Sequence, residues 1–328
     1  MTEETAAKLF RKHYRTDVEI LQSHELKSFS KNRTLTSYRI KIPGQGIAEF
    51  VGISEQKITK PARLIAKQNK ALKYTSNIKR EIHLYQKVHP DIQKYLPEHF
   101  WHKGKFFAAR PIKASDKFTA EQLPQFIDAL TDIHAQYFNR ESAARKLKIQ
   151  VTDEDDYARA KHLIRKNWQK LAERNEKILS LADQRRFTDF IEHIDERRQR
   201  IPRTHRALTH NHLTPKAVIL AKQPIIIDWQ FAHYQAPEHD LVEILCYFAH
   251  ELTDKQITSL IDDYRTELRH KSGYYLPRED YAAILNFNLF EYAVNRQAIL
   301  RLTASKKQRA KTEQYFENLL HIMRLIKK

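Results

Sequence analysis

The stretch LTHNHLTPKAVILAKQPIIIDWQFAHYQAPEHDLVE, Leu208 to Glu243, decides the reading of this chain. It opens on the polar loop His210-Asn211-His212 and passes through Pro215 into the apolar run Val218-Ile219-Leu220. Lys222-Gln223-Pro224 supplies a turn, and Ile225-Ile226-Ile227 ends on Asp228-Trp229. Two short apolar runs around a turn predict a β-hairpin. A polar loop therefore precedes the hairpin, and a carboxylate follows its second strand.

Working outward, the first fifty residues change character. Residues 3–14 predict a helix with Ala6, Leu9, Phe10 and Tyr14 on one side. Val18–Leu21, Thr36–Lys41 and Ile47–Ile53 predict strands, with Pro43-Gly44-Gln45-Gly46 turning between the last two. Asn77–Val88 predicts a helix with Ile78, Ile82 and Tyr85 on one face, and Pro90 follows it. Phe100–His102 and Phe106–Ala109 predict a second hairpin. From Thr119 onward the pattern is helical. Thr119 and Gln122 have the spacing of a capping box. Helices are expected over 157–181, 185–198, 238–250, 254–270, 280–302 and 306–326, the last burying Phe316, Leu319, Leu320 and Met323.

These residues resemble the choline/ethanolamine kinase branch of the aminoglycoside phosphotransferase-like family. That branch carries His-Asn-Asp, then, after four residues, Asn and an apolar run. An Ile-Asp-Trp/Phe-Glu strand end follows, and later an Asp-Leu. The frame here is His210, Asn211, His212, Ala217, Ile227, Asp228, Trp229, Gln230, Asp240 and Leu241. The resemblance implies a bilobal protein-kinase-like α/β fold: a small β-rich lobe over residues 1–110 and a large, mainly helical lobe over 111–328, with a hinge near 107–114. It also implies ATP and magnesium as cofactors, His212 and Asp228 as the catalytic candidates, and Asp228 as the metal ligand. Glu81 falls on the helix glutamate, Lys31 and Asn32 on the phosphate-covering loop, and Arg110 on the hinge that holds adenine. Asp240 falls on the residue that braces the catalytic loop.

The chemistry departs from the family where the frame does not. The catalytic Asp falls on His212, the metal-binding Asn on Ala217, and the Glu after Asp-Trp on Gln230. The strand that should carry a phosphate lysine reads Ala48-Glu49-Phe50-Val51-Gly52-Ile53-Ser54, with Gly52 at the matched position. The loop 28–34 contains no glycine, so backbone N–H groups there cannot closely approach a phosphate. A histidine at 212 can accept a proton near neutral pH, but a methyl group at 217 offers magnesium no oxygen. The expectation is a pseudokinase with impaired or absent phosphotransfer. An active phosphotransferase with a rearranged site is the second reading, and a basic module binding nucleic acid or another polyanion is the third.

Composition sets the remaining bounds. Hydrophobic residues make up 41% and charged residues 30%, as in ordinary globular proteins. The net charge of +18 predicts attraction to anionic partners, among them nucleotides, phosphorylated metabolites and nucleic acid. The single cysteine, Cys246, excludes a disulfide framework and a cysteine zinc site. The five histidines at 205, 210, 212, 233 and 239 match no common zinc spacing. No signal peptide and no apolar run of about 18 residues is present, so a cytoplasmic location is expected.

Overall fold

The computed structural model describes residues 3–26, 33–55, 63–103, 106–109, 112, 117–174 and 179–326. The chain divides into two compact units, each assembled from three sequence segments. One comprises Met1–Thr59, Asn77–Lys117 and Val218–Gln230; the other comprises Lys60–Ser76, Phe118–Ala217 and Phe231–Lys328.

The first unit is built on a five-stranded antiparallel sheet of β1 (Glu19–Leu26), β2 (Arg33–Ile42), β3 (Gly46–Glu55), β4 (His99–Lys103) and β5 (Phe106–Ala109), in the order β1-β2-β3-β5-β4. Alternation fixes the faces: Tyr38, Ile40 and Ile42 are buried, while Arg39 and Lys41 face solvent. Helix Glu3–Tyr14 contributes Ala6 and Phe10 to the resulting core. The Phe10 ring meets Tyr38 edge-on at 5.5 Å and Phe50 at 5.4 Å. Gly44 and Gly46 adopt φ of +78° and +88° in the β2–β3 turn, which the Gln45 N–H closes on the Ile42 carbonyl at 3.0 Å.

The hairpin expected from the central stretch is present. Val218–Leu220 pairs antiparallel with Pro224–Ile226, one residue earlier than the apolar run suggested. It joins the first unit through the Ile226 N–H, which donates to the Tyr95 carbonyl at 2.8 Å. The division expected at residue 110 followed chain order, whereas this hairpin, more than a hundred residues later, groups with the sheet.

The second unit is helical around a small three-stranded sheet. His233–Gln235 lies centrally, parallel to Gln150–Val151 and antiparallel to Ala207–Thr209. Helices Leu123–Gln136, Glu154–Arg174, Glu238–Phe248, Asp254–Ser272 and Arg309–Leu325 correspond to expected elements. The helix expected over 185–198 is instead two, Leu181–Glu192 and Ile194–Gln199. They break at His193, whose Nδ1 lies 2.9 Å from the Asp189 carbonyl that its own N–H also reaches. The helix expected over 280–302 is Arg278–Tyr292, a π turn Ala293–Gln297, and Ala298–Thr303. The Phe316, Leu319, Leu320 and Met323 stripe is buried as expected. Among the described residues no helix is long and apolar enough to cross a membrane.

Helix Asp254–Ser272 carries sharp signals at both ends. Thr253 and Gln256 form a reciprocal capping box, and Gly273 closes the helix at φ +70°. Thr253→Ala is expected to cost about 1 kcal/mol, read as a lower urea midpoint at an unchanged m-value.

Candidate active site

Strand Ala207–Thr209 delivers the chain into His210-Asn211-His212-Leu213, and two carboxylates of one helix take up the loop's backbone donors. The Asp240 carboxylate accepts the N–H of His210 at 2.6 Å and of Asn211 at 3.0 Å, and Glu243 accepts the N–H of Leu213 at 2.5 Å. Asp240 and Glu243 stand three residues apart in Glu238–Phe248 and so share a helix face. Asn211 adopts φ +57°, a left-handed conformation that asparagine tolerates better than most residues. Its side chain donates to the Phe231 carbonyl and accepts from Gln235, each at 3.3 Å, and its carbonyl accepts from the Arg296 guanidinium. His210, Asn211 and Leu213 are fully buried; His212 alone of the four is partly exposed, its ring edge-on to Phe231 at 5.0 Å.

The Asp228 turn belongs to the first unit. Asp228 adopts φ +71° and is partly exposed, between buried Ile226 and buried Trp229. The Trp229 indole N–H returns to the Ile226 carbonyl at 2.9 Å. Gln230 is buried and donates its amide N–H to Asp228 Oδ1 at 2.7 Å. The Gln230 carbonyl accepts the Asn77 N–H at 3.0 Å and Arg80 at 3.1 Å. Asn77 caps helix Ile78–Lys87 through its side chain, so this contact ties the start of the Glu81 helix to the Asp228 turn. Arg80 is 2% exposed, and burial lowers its pKa to about 10. Glu81 is equally buried and accepts the Tyr85 hydroxyl at 2.7 Å. Strand β3 contains no lysine; Gly52 sits there in register with Thr36 and Ala108. In the second unit Ala217 ends a 3-10 turn, its methyl group buried and its N–H on the Thr214 carbonyl at 2.8 Å.

With this geometry in hand, comparison gives the family. A model of the phosphotransferase enzyme family APH matches residues 56–275, more than half of the chain. The protein belongs to that family. No curated protein sequence matches it. Among solved structures it is similar to choline kinase LicA from Streptococcus pneumoniae, at 10% identity over 98% of this chain and 99% of that one, with a TM-score of 0.56. A choline kinase from Cryptosporidium parvum Iowa II aligns at 10% identity over 99% and 96%, with a TM-score of 0.58. LicA in complex with AMP aligns at 12% identity over 99% and 98%, with a TM-score of 0.55. At such identities the likeness is one of fold: a small antiparallel-sheet lobe and a helical lobe.

In this APH-family chain the candidates sort by unit. Asp228 and Glu81 are joined in the first unit through Gln230 and the Asn77 cap. His212 stands in the second unit on the loop that Asp240 holds. Lys31, Asn32 and Arg110 lie outside the described residues. The structure adds Glu243 and Arg296, and it gives Gln230, the position of the family's glutamate, a hydrogen bond to Asp228. Glu243 had a sequence signal, its spacing of three from Asp240. Arg296, more than eighty residues from the loop it holds, had none. The aromatic residues Trp229, Tyr234 and Tyr292 are fully buried in the core.

A buried ionic network backs the loop. His134 bridges Tyr264, 2.7 Å from Nδ1, and Asp240, 3.3 Å from Nε2. His239 has its ring nitrogens 3.9 Å from Asp240 and 3.5 Å from Glu291. Glu291 in turn accepts from Tyr74 and Asn295, both at 2.7 Å. Burial opposes ionisation of Asp240, yet the His134 hydrogen bond and the neighbouring His239 ring outweigh it and hold the carboxyl below its usual range. Burial likewise lowers His239, and the flanking carboxylates of Asp240 and Glu291 more than offset this, raising it to about 9. His239, Asp240 and Glu243 place ligand atoms within 4.8 Å of one another. Asp240 and Glu243 are engaged by loop amides and Asp240 and Glu291 neutralise His239, so the cluster's donors serve the fold.

Two outcomes follow from this network. Asp240→Asn strips the loop of its anionic acceptor and leaves His239 short of a counter-charge; a loss of roughly 3–5 kcal/mol is expected in denaturant unfolding. His239 has a folded pKa above its unfolded value near 6.5, so its stabilisation is complete below about pH 6.5 and is lost as pH rises through about 9. Relative to His239→Gln, the wild type should lose on the order of 3 kcal/mol across that window, seen in melting temperature against pH.

Proposed function

We propose that this APH-family protein retains the architecture of a small-molecule kinase without efficient phosphoryl transfer. The reading rests on what surrounds Asp228. Phosphoryl transfer depends on divalent cations that neutralise the phosphates and position them in line, and magnesium takes oxygen ligands. One Asp228 oxygen already accepts the Gln230 amide, a neutral donor where the family frame has a carboxylate. The family's metal-binding amide falls on Ala217, whose side chain carries no oxygen. The residues present do not fit a two-magnesium site. Glu81, without a lysine in β3, meets the Tyr85 hydroxyl instead.

A second reading has one observation in its favour. His212 is the only side chain of its loop left partly exposed, as a base reaching a substrate hydroxyl would be. General-base assistance contributes typically about 10²–10⁴-fold, so a working enzyme would use His212 as base and Asp228 as its single metal ligand, with choline, ethanolamine or an aminoglycoside as acceptor classes.

Melting curves with ATP, with and without Mg²⁺, followed by ADP release in the presence of each acceptor, separate the two. The expected result is no Mg²⁺-dependent shift in melting temperature and no acceptor-dependent ADP. Turnover that His212→Ala or Asp228→Ala abolishes would establish the enzyme instead.

A further inference from the structure

The helical unit contains a polar cavity that the phosphotransferase reading does not use. It encloses about 410 Å³, and Lys73, Glu141, Arg145, Asp153, Arg203 and Arg206 line it. None of these residues belongs to the His210 loop. Arg206 enters the strand Ala207–Thr209 at the end away from His210.

Most of the lining cations are matched by carboxylates. Arg145 pairs with Glu141 at 2.9 Å, Arg203 with Glu154 at 2.5 Å, and Lys73 with Asp156 at 2.5 Å. Arg206 is different. Its side chain is 3% exposed, and among the described residues no carboxylate or hydrogen-bond acceptor meets its guanidinium; Nε is wholly buried without a partner. Arg198, 4% exposed, likewise leaves a terminal nitrogen unmatched. Burial lowers the Arg206 pKa and the charge of Arg198 lowers it further, while the more distant carboxylates of Glu141 and Glu154 offset this only in part.

A guanidinium keeps its proton even when buried, and a buried charge without a counter-ion is costly. The natural complement to Arg206, with Lys73, Arg145 and Arg203 around the same cavity, is an anion with several acceptor oxygens. A phosphomonoester carries about −1.5 to −2 charges at neutral pH and suits the fork of an arginine. The cavity lies within the roughly 300–1,000 Å³ typical of small-molecule sites. Glu141 and Asp153 add acceptors for hydroxyl or amino groups on the remainder of the ligand. We propose that the cavity lined by Arg206 is a binding site for a small phosphorylated metabolite, separate from the His210–Leu213 loop.

The test compares wild type, Arg206→Met and Arg203→Ala by calorimetric titration and melting temperature, at constant ionic strength in chloride. Inorganic phosphate and glycerol 3-phosphate are the probes, with sulfate as an ionic control. Both probes should raise the wild-type melting temperature, glycerol 3-phosphate more than phosphate and both more than sulfate. Arg206→Met should lose most of that shift while melting, without ligand, at or above the wild type, because an unmatched buried charge has gone. Arg203→Ala, a change at an exposed side chain, should fold normally and weaken glycerol 3-phosphate binding about tenfold. No shift with either probe, or shifts of equal size in wild type and both variants, overturns the proposal.

Discussion

One buried carboxylate, Asp240, grips two consecutive backbone amides, those of His210 and Asn211. Burying a carboxylate is costly unless its charge is met by donors and counter-charge. Here the two amides, His134 and His239 together meet it. The same demand extends through His239 to Glu291, and from Glu291 to Tyr74 and Asn295. Asn295 stands in the π turn that also carries Arg296, and Arg296 returns to the Asn211 carbonyl. Loop, helix and π turn are thereby fixed by one connected set of charges and amides.

This arrangement holds the loop through backbone groups, whatever side chains stand at the positions that differ from the family frame. Asp240 and Glu243 hold backbone groups, so the loop's path does not depend on whether residue 212 is an acid or a histidine. The same logic governs the Asp228 turn. Its link to the Glu81 helix runs through the Gln230 carbonyl, while the Gln230 side chain turns back on Asp228. Left-handed backbone at both Asn211 and Asp228 costs on the order of 1–3 kcal/mol per residue and persists where surrounding contacts over-determine it.

Much of this was legible in the sequence because the relevant signals are local. Alternation marked the sheet strands, the Thr119–Gln122 spacing marked a cap that the structure contains, and the Phe316 stripe marked a buried helix face. The bracing position of Asp240 followed from family resemblance and is matched by its contacts. What escaped is non-local or subtle in pattern. The break at His193 is marked only by a side chain that shares the Asp189 carbonyl with its own backbone N–H. The π turn inserts one residue into an apolar period without disturbing it visibly. Grouping of the 218–230 hairpin with the first sheet depends on pairing across more than a hundred residues, and the unmatched charge of Arg206 becomes visible only once its neighbours are in place.

The central claim is that the oxygen ligands a kinase needs for two divalent ions have gone while the scaffold remains. Counting bound Mn²⁺ by electron paramagnetic resonance, in the presence of saturating ATP and purified protein, addresses it most directly. The account predicts no more than one weakly held ion per chain beyond the background of Mn²⁺ bound to nucleotide in solution. Two tightly held ions per chain, both displaced by Asp228→Ala, would contradict it.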